Sequence, residues 1–505
     1  MFRLPLPLPG PVTATATAAE RSVSSPFYVH LSLPRRIRGF SLVLAVLATG
    51  AFLYTWSFLS SSSHRHQDDI PLYLQDLPKP EGGVDPPRFY EWHEREKRLP
   101  QHNPDLPFPQ GREGRYIRFS NQLWGLGWGN AMQELLFNAH LAYLAKRTYV
   151  FDNYTWDKTS SDFSSFNDKR IPARVPLTAL LSGPVAGDPF PPSTNGVPAV
   201  IPEFFNEVCP NRTIIDRNEV DGALPDASAA TLLQAWLDKL EQIEDRCVEI
   251  KEHSGQIFNY LVFGDSTRLL DIWPSISKSP IITHFSWSPL ILAALVANAQ
   301  VIHPALSSIS PSSFNPSAST APLSGLLALH IRRGDYIDHC KNLGNWYAHF
   351  MGFNEFPGLP DRFIPPPPLR VGDASEEDHA QYRVHCFPEI EDIVRRVREV
   401  RASLSSTTQL RRVYVLTNGK PEWLEELKEA LQEDAKKGGM PVWEHIGTSR
   451  DLVLTGEQKH NSQAMDMAVA QRAEVFIGNG FSSMTSNVVM LRAAQGLEWN
   501  TMRFW

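Results

Sequence analysis

The chain has 505 residues, too many for one hydrophobic core, so two or three folded units are expected. Its composition is ordinarily globular, with 42% hydrophobic and 20% charged residues. The formal net charge of -7 excludes a surface built to displace counterions from nucleic acid.

The first element is an uncharged run at 39–59, GFSLVLAVLATGAFLYTWSFL. Its twenty-one residues would span about 31 Å as a helix, matching a hydrocarbon core of ~30 Å. Tyr54 and Trp56 suit a membrane interface, and Arg3, Arg21, Arg35, Arg36 and Arg38 precede the run against the single acid Glu20. The positive-inside rule then puts a tail, 1–38, in the cytosol and everything after residue 59 in a lumen. Both the length of the run and its distance from the N-terminus disfavour a cleaved signal peptide. The expectation is a single-pass type II protein of the Golgi or endoplasmic reticulum membrane. Residues 60–110 are rich in Ser, Pro, Asp and His and read as a stem, with a short helix within 89–98.

From residue 111 the pattern becomes α/β. A strand at 116–119, a glycine turn at 123–129, an apolar helix at 130–146 and a strand at 148–151 (TYVF) make a βαβ unit. A proline-rich loop at 183–202, a helix at 227–247, a βα-like stretch from Ile257 (IFNYLVF) and an apolar helix at 291–297 follow. A Ser/Pro-rich joint at 303–322 separates this part from a second one. There the continuous apolar run LLALHI, 326–331, is expected as a strand covered on both faces. Helices at 387–404, 421–436, 462–472 and 483–494 alternate with strands at 413–416 and 475–477. The organisation expected is two βαβ domains, 111–320 and 321–505, with no internal repeat.

The chemistry is expected where strands end. His330-Ile331-Arg332-Arg333-Gly334-Asp335 closes the LLALHI strand, and ligands of open α/β sheets bind beyond carboxyl ends of strands. Paired guanidinium groups offer forked donors to phosphate oxygens. Phe476-Ile477-Gly478-Asn479-Gly480-Phe481-Ser482-Ser483 is a strand, a glycine turn and two hydroxyls opening a helix, which suits a phosphate cradle or an ordinary N-cap. In the turn 125–130 the third glycine comes too early for a dinucleotide fingerprint, so its use is close backbone approach to a ligand.

Together these motifs resemble the GDP-fucose-dependent O-fucosyltransferases and, more broadly, the fucosyltransferases sharing H-x-R-R-x-D. The resemblance runs from about residue 112 to the end and implies a GT-B-like fold, with two Rossmann-like domains facing a cleft. It implies that Arg332 meets the β-phosphate of GDP-fucose and is needed for catalysis, with His330 and Asp335 in the same donor motif. It gives Ser482 and Ser483 a phosphate-holding role and sets Glu474 as the acid before that motif. The stretch from Trp128-Gly129-Asn130-Ala131 to Arg147-Thr148 is similar to the family's early turn, helix and R-T pair, which places Gly129 and Asn130 at the donor. Two residues depart from the family: Ala131 stands for a glutamine, and Gly127 where one branch has a glutamate base. Asn130 has no ionisable group and can only orient an acceptor hydroxyl. The activity implied is inverting transfer of fucose to a protein Ser/Thr or a glycan. No cofactor or metal is expected, and the chain holds no D-x-D run. Another GDP-sugar transferase of this fold and an inactive luminal glycan-binding protein are the alternatives.

The four cysteines all follow the apolar run. An even number in an oxidising lumen favours disulfides. Cys340 follows the H-x-R-R-x-D loop and Cys386 precedes a helix of the same domain, so these are expected to pair, leaving Cys209 with Cys247. Asn153 and Asn211 open sequons for glycosylation.

Overall fold

Two parallel sheets organise the protein, as a computed structural model that describes residues 85–159, 161–166, 169–308, 322–367, 374–405 and 408–505 shows. The apolar run 39–59 lies outside the described residues. Among those described, no helix is long and apolar enough to cross a membrane.

After helix α1 (Tyr90–Lys97) come β1 (Tyr116–Phe119), α2 (Trp128–Leu144) and β2 (Thr148–Val150), then β3 (Thr213–Ile215), α3 (Ala229–Glu241) and β4 (Cys247–Ile250). The first sheet has the order β2-β1-β4-β3, with parallel pairing throughout. Helix α2 carries Met132, Leu136, Phe137 and Leu141 into the core, where Phe137 packs edge-on against Phe258 and Phe263.

Helix α4 (Pro289–Ala297) leads to the second half. Its elements are β5 (Leu323–Ile331), α5 (Tyr336–Asn345), α6 (Glu376–Cys386), α7 (Ile390–Ser403), β6 (Arg412–Thr417), α8 (Pro421–Lys437), β7 (His445–Thr448), α9 (Ser462–Arg472), β8 (Ala473–Gly478), α10 (Ser483–Ala494) and β9 (Met502–Phe504). The second sheet is also wholly parallel, in the order β7-β6-β5-β8-β9. Chain direction therefore reverses its sideways progress between β5 and β8. In a doubly wound sheet that switch point opens a crevice beyond the carboxyl ends of the two strands. Both strands are buried on both faces, as their apolar runs require.

Two expectations need correction. Residues 85–110, read as the end of a stem, pack onto the body. Phe89 is 1% exposed, Gln101 Nε2 donates to Gly187 O and Ala199 O, and Glu96 accepts from the Thr178 N–H and hydroxyl. The segment is polar on average, which hides the few side chains that anchor it. Ile257 (IFNYLVF) gives no strand. Asn259 Oδ1 accepts the N–H groups of Leu261 and Val262 and starts a short helix, Tyr260–Phe263. The strand of that region is Cys247–Ile250, whose CVEI alternation is too short to stand out.

The disulfides pair as expected. Cys209–Cys247 and Cys340–Cys386 have Cα separations of 5.7 and 5.8 Å, and no described cysteine is free. Asn211 is exposed, whereas Asn153 is half-buried with its Oδ1 enclosed, so glycosylation is sterically easier at Asn211.

Candidate active site

At the switch point, β5 ends in Ile331 and the chain turns through Arg332 to Asp335. Gly334 takes φ +65°, a left-handed value that a side chain would strain. Asn418 clamps this turn from β6: its Oδ1 accepts the Arg333 N–H at 2.7 Å and its Nδ2 donates to Arg333 O at 2.9 Å. The two arginines then diverge. Arg333 is buried, stacked 4.4 Å from the Phe387 ring centroid and 4.1 Å from that of Trp423, and donates to Pro388 O. Burial lowers its pKa to about 10, and its one acidic neighbour, Glu389, lies 4.0 Å away. Arg333 therefore holds the loop, chiefly through aromatic rings and a carbonyl rather than an acid.

Arg332 faces a cavity of about 860 Å³. Its Nε is buried with no hydrogen-bond partner among the described residues, and its ion pair with Asp335 is long, at 3.8 Å. A guanidinium on a cavity wall, only loosely paired with an acid, suits an anionic ligand there.

The same cavity receives two helix starts. Ser482 is the N-cap of α10 and Gly127 that of α2, and neither helix has a side-chain cap. No side chain takes their first N–H groups, and both dipoles favour negative charge there. The two starts touch. A Cβ on Gly129 would lie 2.7 Å from Ser483 Oγ and 2.8 Å from Met484 N. Asn487 Nδ2 donates to Gly129 O at 2.7 Å and Gln133 Nε2 to Ser486 Oγ at 3.3 Å, fixing α2 on α10. Since a backbone nitrogen cannot step aside cheaply, Gly129→Ala is expected to push the helix starts apart. A stability loss of about 1–3 kcal/mol should accompany weaker nucleotide binding. Thermal melts and a GDP titration check this, and a variant that matches wild type in both would contradict the contact.

The structure thus brings together Arg332, Ser482, Ser483, Gly129 and Asn130, with Asn130 exposed to the cavity. His330 lines it too but is 2% exposed, with Nδ1 2.9 Å from Thr485 Oγ1 and its carbonyl accepting from Trp505 Nε1. Burial, helped by Arg332, lowers its pKa to about 3, so this imidazole stays neutral and structural. Asp335 stands beside the cavity on Arg332. Glu474 does not reach it: it sits at the opposite, amino end of β8, accepting from the Gly325 N–H. A position two residues into a parallel strand is a strand's length from the ligand end, which a linear motif does not convey. Arg147 of the R-T pair is likewise a brace, donating to the carbonyls of Ile243, Asp245 and Arg246.

The sequence reading passed over much of the wall. From α5 come Tyr336 and His339, their rings tilted with centroids 5.1 Å apart, with Arg332 5.3 Å above the Tyr336 ring. Trp346, 56% exposed, meets His339 edge-on, and Tyr260, 71% exposed, forms another part of the rim. An exposed aromatic next to a cavity was the available signal, but exposure is not legible in sequence. No group of His, Cys, Asp and Glu suited to a metal ion occurs among the described residues.

With this geometry, known proteins are informative. Residues 291–495 match the model of the GDP-fucose protein O-fucosyltransferase family, a span containing β5, β8 and both of their loops. This part of the chain is similar to the O-fucosyltransferases. The family places the protein among the glycosyltransferases. No curated protein matches the chain. Among solved structures it is similar to POFUT1 in complex with GDP, at 15% identity and TM-score 0.41 over 76% of this chain and 96% of that one. NodZ alpha-1,6-fucosyltransferase soaked with GDP-fucose follows at 13% and 0.36, over 75% and 92%. A mutant of Arabidopsis thaliana FUT1 in complex with GDP gives 10% and 0.32, over 80% and 73%.

Proposed function

We propose that the protein transfers fucose from GDP-fucose to an acceptor hydroxyl, with inversion and without a metal ion. The observation that carries this reading is the convergence of Arg332 and two helix starts without side-chain caps on one cavity at the switch point. As the bond from fucose to the β-phosphate breaks, charge grows on the departing GDP. Arg332 and the N–H groups at Ser483 are fixed before the reaction where that charge develops, which is the arrangement that lowers a barrier most. Asn130, on the α2 side of the cavity, would orient the acceptor. The halves 111–320 and 321–505 would act as the acceptor-side and donor-side Rossmann-like domains of a GT-B-like enzyme. The apolar run 39–59 would tether it in a Golgi or endoplasmic reticulum membrane, with the disulfide-bearing part in the lumen. Glycoproteins or glycans there are the acceptors.

Calorimetry with a nucleotide panel tests the reading. GDP should bind over UDP and ADP, GDP-fucose over GDP-mannose, and EDTA should leave the affinity unchanged. A preference for UDP, or binding that EDTA abolishes, would sink it.

A further inference from the structure

The fucosyl-transfer reading leaves the acceptor's proton without a destination, since Gly127 carries no acid and Asn130 cannot take a proton. Three histidines line the cavity. His330 is closed off on Thr485, and His339 lies tilted against Tyr336 and edge-on to Trp346 beside the Arg332 cation. His349 differs from both. Its side chain is 62% exposed, and its Nδ1 lies 3.7 Å from Oε1 of Glu355, a carboxylate only 17% exposed. The other carboxylate oxygen, Oε2, accepts from the Ser266 hydroxyl, so Glu355 is fixed on its far side.

The loop bearing this pair is tied to the donor end. Met351 N–H donates to Gly480 O at 2.8 Å, and Asn354 Nδ2 donates to Gly480 O at 2.8 Å and Ser482 O at 3.4 Å. His349 stands two residues before the first of these bonds and Glu355 one residue after the last. The carboxylate–imidazole pair is thus anchored on the turn whose serines open α10.

We infer that His349 is the general base of the transfer and that Glu355 is its positioning residue. Glu355 holds Nδ1 and leaves Nε2 for the acceptor, the orienting logic of a carboxylate–histidine pair. Such contacts are commonly long without substrate and tighten in the complex. In the step, the acceptor oxygen forms a bond to fucose C1 while the bond from C1 to the β-phosphate oxygen breaks. That electron pair leaves with GDP, and the acceptor's proton passes to His349 Nε2 and then to solvent.

The test uses GDP-fucose with two nucleophiles, water and azide, and follows GDP release and fucosyl azide formation. Azide is already an anion and needs no base. His349→Gln should lower the water reaction about 10²-fold, the ordinary size of general-base assistance, and leave the azide reaction unchanged. Glu355→Gln should show the same discrimination at smaller size, which a merely structural role would not produce. GDP-fucose binding by both variants, measured calorimetrically, should match wild type. A water rate unaffected by His349→Gln, or water and azide rates falling together, would overturn the assignment. A wild type that does not bind GDP-fucose would instead overturn the fucosyl-transfer reading, and the base with it.

Discussion

Arg332→Ala is expected to lower kcat by about 10²–10³, the usual loss for one preorganised donor aimed at developing charge. The guanidinium already stands at the cavity before any anion arrives, its ion pair with Asp335 long at 3.8 Å. Arg332→Lys should recover little, because an ammonium has no planar fork and reaches a different point. The neighbouring Arg333→Ala should behave differently. It removes the cation from between Phe387 and Trp423, together with a bond to Pro388 O, at a cost of about 2–3 kcal/mol in stability. Rate assays beside thermal melts separate the two. Full turnover in a folded Arg332→Ala protein, with Arg333 essential, would reverse the roles assigned.

Replacing Cys340 and Cys386 together by serine is expected to destabilise the protein by about 4 kcal/mol, from the freedom restored to an unfolded loop of this length. The two cysteines are 46 residues apart in sequence, and both are buried. The consequence reaches the site, because Cys340 lies within α5, which carries Tyr336 and His339 to the cavity wall. The carbonyl of Cys386 also accepts from Asn479 Nδ2, which helps hold the turn after β8. Urea denaturation of the double variant should therefore show a lower midpoint, and GDP binding should weaken in parallel. A loss below about 1 kcal/mol would mean that packing of α5 on α6 suffices without the bond.

Much of the second half was legible because its signals are local. LLALHI and the strand before the late glycine turn are continuous apolar runs, and each ends in residues that only a ligand or a cap would use. The amphipathic helices α7 and α8 announced themselves by their period, α8 with Pro421 at its first position. The edge strands β7 and β9 did not, since four and three residues hold no period. Strand order is a property of pairing and not of any segment. The switch point between β5 and β8, which gives both motifs their meaning, could only come from the structure. The same limit explains Glu474: its proximity to the late motif in sequence becomes separation once β8 is extended. It also explains His349 and Glu355, which belong to no motif and meet only because the loop 346–356 folds back on Gly480 and Ser482.

A crystal structure of the protein with GDP would test the central claim most directly. The expected result has the β-phosphate within hydrogen-bond distance of the Arg332 guanidinium and of the N–H groups at Ser483 and Met484, with Gly129 closing over it. A nucleotide bound elsewhere, such as the groove between Arg95 and Asp188, with the Arg332 cavity empty, would contradict the account.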